Sequence, residues 1–142
     1  MSLQVNQEEL LDIVVKYAEV EGKNGRVYIL TREEDFVKYK DKIKEIKQLN
    51  TQWKEPTWKE QNAIVQESQV MNGLTGDRIV DYVKLDELML EKCLKNWDLL
   101  DSKGKSIQCT PENIGTLNPQ FAQKLINEFS LRNSISDKNL GN

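Results

Sequence analysis

Between Leu85 and Phe129 the chain reads LDELMLEKCLKNWDLLDSKGKSIQCTPENIGTLNPQFAQKLINEF, two apolar stripes bracketing a glycine turn. A polypeptide with that pattern has few ways to hide both stripes from water. Leu85, Leu88, Met89, Lys92, Cys93 and Trp97 recur at helical spacing, and so do Phe121, Ala122, Leu125, Ile126 and Phe129. Gly104 supplies the permissive backbone for the turn after Trp97. Thr110 with Pro111 predicts a capped short helix through Ile114, and Asn118 with Pro119 repeats the device for the last helix. The spacing therefore predicts a helix, a turn and a helix, onto which the rest of the chain packs.

Upstream, Asn6 and Glu9 have the spacing of a capping box ahead of Leu10, Ile13, Val14, Tyr17 and Ala18, which predicts a first helix ending at the GKNG turn. Arg26 to Leu30, RVYIL, reads as one short strand needing a partner. Thr31 and Glu34 repeat the box spacing, and Phe36, Tyr39, Ile43, Ile46 and Leu49 predict a second long helix. Its lysines, Lys38 to Lys47, alternate with acids and read as a solvated face. Asn50 to Pro56 loses periodicity and reads as a loop. Thr57 and Glu60 form a third box before a polar helix carrying Trp58, Ile64, Val65 and Met71. Asp77 is placed to cap a segment with Ile79, Val80 and Val83, and Asp86 to cap a separate helix.

At 142 residues the chain fits one domain. A net charge of -3 gives no electrostatic support for nucleic acid or an anionic membrane, and no apolar run is long enough to span a bilayer. The amino terminus shows no signal peptide pattern, so a cytoplasmic protein with reduced thiols is expected. Histidine is absent, and Cys93 and Cys109 are too far apart for a CxxC pair, which argues against a zinc site or histidine-based catalysis. Gly104, Lys105 and Ser106 lack the upstream glycine of a phosphate loop, Leu99 standing in its place. Asp98, Asp101 and Gly104 lack the alternating ligands of a calcium loop. Glu87 and Glu91 share one helical face, but an open face does not separate carboxylate pKa values for acid and base work. Cys93 and Trp97 read as core residues, in phase with Met89 and Leu90. These residues predict no enzyme, no cofactor and no metal.

Aromatic side chains are the candidates for a partner-binding surface: Phe36, Tyr39, Trp53 and Trp58. For the two tryptophans the plainer reading, and the favoured one, is a pair of large side chains pinning a loop to the core.

The segment VKLDELMLEKCLKNWDLLDSKGKSIQCTPENIGTLNPQFAQKLINEF resembles the C-terminal part of the small tail assembly chaperones of tailed bacteriophages. There a helix ending near a tryptophan precedes an acid-and-glycine turn, a threonine-capped short helix and a final helix. The corresponding stretches here are Cys93 to Trp97, Asp101 to Lys105, Thr110 to Ile114 and Pro119 to Phe129, and VYILTREEDF sits where such proteins carry a short strand. The resemblance implies a non-enzymatic helper in the host cytoplasm that binds the tape-measure protein or tail tube subunits and associates with itself as a homo-oligomer. The alternative is a small structural virion protein, a connector or tail accessory. Residues and resemblance together predict a mainly α fold. It would be a single small helical domain over residues 1–132 with at most one short strand or hairpin, followed by a flexible tail over 133–142.

Overall fold

A computed structural model of the chain describes residues 3–132. The fold is mixed α/β rather than mainly α: among the described residues five helices accompany a four-stranded and a two-stranded sheet. The tail expected over 133–142 lies outside the described residues.

The first correction is at the amino end, where Leu11–Glu21 forms strand β1 instead of a helix. Leu11, Ile13, Val15 and Tyr17 satisfy a two-residue period as well as a helical one, and β-branched Ile13, Val14, Val15 and Val20 tip the choice toward strand. Val14, which a helical stripe would bury, is exposed. The expected box at Asn6 survives only as a local turn, its Oδ1 accepting from the Glu8 amide at 3.0 Å. A single 3₁₀ turn over Lys23–Gly25, with Asn24 and Gly25 at positive φ, reverses the chain into β2, Val27–Leu30. The strand expected at RVYIL is thus the second arm of a hairpin.

The second expected helix is real only over Glu33–Lys38, α1. Its start has no side-chain cap, and by Lys47–Trp53 the chain is strand β3, whose Leu49, Thr51 and Trp53 alternate inward. The stretch read as a loop therefore includes the end of a central strand. The third capping box forms as expected: the Glu60 amide donates to Thr57 Oγ1 at 3.2 Å and the Thr57 amide to Glu60 Oε1 at 3.1 Å, opening α2, Trp58–Glu67. Beyond it Gln69–Met71 (β4) and Arg78–Val80 (β5) make a small hairpin. Neither Asp77 nor Asp86 caps a helix. Asp81 does, its Oδ1 accepting from the Val83 and Lys84 amides to start α3, Tyr82–Cys93.

At Leu94 the chain leaves the helix as strand β6, Leu94–Trp97, so the stretch likened to a helix end is extended. The remaining signals hold. Asp101 and Gly104 form the turn, Thr110 and Pro111 open α4 (Pro111–Ile114), and Asn118 caps α5, Pro119–Arg132.

The large sheet is antiparallel with order β2-β1-β3-β6. Ile13, Val15, Leu49 and Trp53 on its inner face meet Leu90 and Cys93 of α3, Ile114 of α4, and Phe121, Leu125 and Phe129 of α5. Trp53 stacks on Phe129 with centroids 4.5 Å apart and rings 9° from parallel. Thr51, buried beneath them, donates to the Ile13 carbonyl at 2.7 Å and accepts from Trp53 Nε1 at 2.8 Å, so each buried polar atom is matched. Among the described residues no helix is long and apolar enough to cross a membrane.

Candidate functional site

Helix α5 covers the inner face of the sheet with Phe121, Leu125 and Phe129 and turns its other side away from that face. That side, the β1–β2 hairpin and α1 enclose an open cleft of about 760 Å³. Its apolar lining comes from Val20, Tyr28, Ile29, Leu30, Tyr39 and Leu131. Gln120, Gln123 and Asn127, one amide per turn of α5, form the helical wall, and Gln123 Nε2 donates to Asn127 Oδ1 at 3.1 Å.

The charges on the rim largely answer one another. Arg32 Nε donates to Asp35 Oδ2 at 3.1 Å, and Lys124 lies 3.0 Å from Glu128. The hydrogen bond to Asp35 also raises the Arg32 guanidinium above its ordinary value. With Glu21 and Lys42 the lining holds three acids and three bases, so the cleft has no net charge with which to draw in a small charged ligand. Its capacity for recognition lies in apolar surface, side-chain amides and exposed backbone.

At the mouth, the Tyr28 ring packs so closely on Gly22 that a Cβ there would fall 2.6 Å from the ring. The Arg26 guanidinium sits 5.1 Å from the ring centroid on the cation–π side. Between these two contacts Tyr28, itself half exposed, forms the lip of the cleft. Sequence reasoning missed Tyr28 because it was read only as one side of an isolated strand, and missed the amide row because its spacing carries no hydrophobic signal.

The four aromatic candidates separate. Tyr39, just past the end of α1, lines the cleft, and Phe36 within α1 is buried at 7% exposure. Trp53 is fully buried in the core. Trp58 stands 82% exposed at the start of α2 and away from the cleft lining. A second apolar surface is the β4–β5 hairpin, where Met71 and, at the tip, Leu74 project into solvent.

The cysteines carry no nucleophile signature. Burial pushes the Cys93 thiol up to about 11 and raises Cys109 too, the opposite of thiol activation. Among the described residues no group of three or more His, Cys, Asp or Glu side chains is placed to hold a metal ion. Compared with known protein families, curated proteins and solved structures, the chain matches none.

Proposed function

We propose that this chain is a non-enzymatic tail assembly chaperone of a tailed bacteriophage, holding a segment of the tape-measure or a tail tube protein until assembly takes it up. The observation that carries the reading is the cleft beside α5, a large opening with an apolar floor and rim charges that sum to zero. Such a lining suits reversible burial of a partner's apolar side chains. The segment that resembles the chaperones ends in α5, the helix that supplies one cleft wall. The docking groove is not a channel between helices, as a mainly α fold would have provided, but lies between a sheet edge and one helix.

The test is co-expression with the tape-measure protein of the same phage, followed by purification and analysis of mature particles. The expected outcome is a soluble complex with the client and no stoichiometric copy of the chain in finished virions. A stoichiometric virion component, or a client equally soluble without the chain, would overturn the reading.

A further inference from the structure

We infer that the cleft takes its partner as an extended strand added to the outer edge of β2, under the amide row of α5, and not as a helix. This deepens the chaperone reading and rests on it only for the partner's identity.

The first observation is how β2 meets the cleft. Tyr28, Ile29, Leu30 and Thr31 line it in an unbroken run. Side chains of a strand alternate between faces, so consecutive residues line one opening only if the backbone edge faces it. In the sheet order, β2 is that edge, with β1 on its other side.

The ladder then shows which groups lack a backbone partner among the described residues. The Gly22 amide donates to the Arg26 carbonyl at 2.6 Å, which makes this a hydrogen-bonded pair. Antiparallel pairs alternate between bonded and non-bonded, and the register runs Val20↔Tyr28, Glu19↔Ile29 and Ala18↔Leu30. Tyr28 and Leu30 thus spend their backbone groups on β1. Val27 and Ile29 direct theirs outward, and Ile29 also lines the cleft. An outward N–H and C=O on an edge strand is a template for another strand.

The opposite wall fits the same occupant. Gln123 Nε2 and Asn127 Oδ1 are bonded to each other, so it is Gln120, Gln123 Oε1 and Asn127 Nδ2 that can serve the outer backbone edge of an inserted strand. A helical partner has no backbone groups left to offer either wall. The matching partner is an uncharged extended segment with apolar residues at every second position, one set resting on Leu30, Tyr39 and Leu131.

The test is selection of a random ten-residue peptide library against the full chain, followed by amide exchange on the chain with the best binder. Enriched peptides should show apolar residues at alternate positions. The Ile29 amide should exchange more slowly in the complex, while Tyr28 and Leu30, already bonded, change little. Ile29→Pro should weaken binding by about tenfold, roughly one lost backbone hydrogen bond, while leaving the β1 ladder intact. Should that variant fail to fold, exchange at Ile29 in the unsubstituted chain decides alone. Peptides enriched at helical spacing, no enrichment, or an unchanged Ile29 amide would overturn the inference. So would an Ile29 amide already protected in a concentration-dependent dimer, which would assign the edge to a second copy. A tape-measure complex in which Ile29 stays unprotected would leave the chaperone reading standing and refute this one. Alternating peptides bound by a chain that ignores the tape-measure protein would do the reverse.

Discussion

Trp53 and Trp58 lie five positions apart in sequence, and the fold gives them opposite surroundings. Trp53→Ala removes a ring stacked on Phe129 and opens a cavity in the core, so it should cost about 3–5 kcal/mol in urea unfolding. Trp58→Ala should change the same measurement by no more than about 0.5 kcal/mol, because its side chain is almost wholly in water. Equal effects would contradict this core. Cys93 makes a prediction in pH. Its folded pKa of about 11 stands above the ordinary thiol value of 9.0, so the folded state holds its proton longer than the unfolded chain. That contribution is complete below pH 9.0 and lost as the pH rises through about 11. Unfolding free energy should fall across that window by an amount on the order of 2 kcal/mol, and Cys93→Ala should flatten the decline. Burial raises Tyr17 as well, so it acts with the same sign. The core role of Cys93 was readable from its phase with Leu90, and the favoured burial of the tryptophans holds for Trp53, on a strand and not a loop, but not for exposed Trp58.

At the scale of elements, legibility followed the strength of local punctuation. Thr57 with Glu60, Thr110 with Pro111 and Asn118 with Pro119 each fix a helix start through short side-chain-to-backbone bonds, and all three stand. The box spacing at Thr31 has no such bond, and the one at Asn6 reaches only the Glu8 amide. Asn6 closes only a turn and Thr31 precedes a six-residue helix, because the neighbouring β-branched and alternating segments gain more by pairing as β1 and β3. Pairing between Leu11–Tyr17 and Lys47–Trp53 is long-range, so no local window announces it. The candidate site was hidden for the same reason: β2 and α5 stand far apart in sequence and are brought together only by the tertiary fold. Asp81, not Asp77 or Asp86, caps α3, so Asp81→Ala should lower stability by about 1 kcal/mol and Asp77→Ala should have a smaller effect on helicity by circular dichroism. Leu74, at the tip of the β4–β5 hairpin, is 96% exposed, and Leu74→Asp should leave the melting temperature nearly unchanged while improving solubility.

For the whole molecule, one covered sheet face and one open cleft divide the labour. The stacked core under α5 holds the helix in place, and the other side of that helix is left to face the edge of β2. Gly22→Ala should make this visible as a loss of partner binding: a Cβ there cannot coexist with the present position of the Tyr28 ring, so the lip must move while the distant core remains. The most direct measurement is hydrogen exchange across the whole chain, free and in complex with the tape-measure protein. Slowed exchange at Ile29, with surface protection along residues 120–131, is the predicted result. Slowing confined to the β4–β5 hairpin and the start of α2 would contradict it.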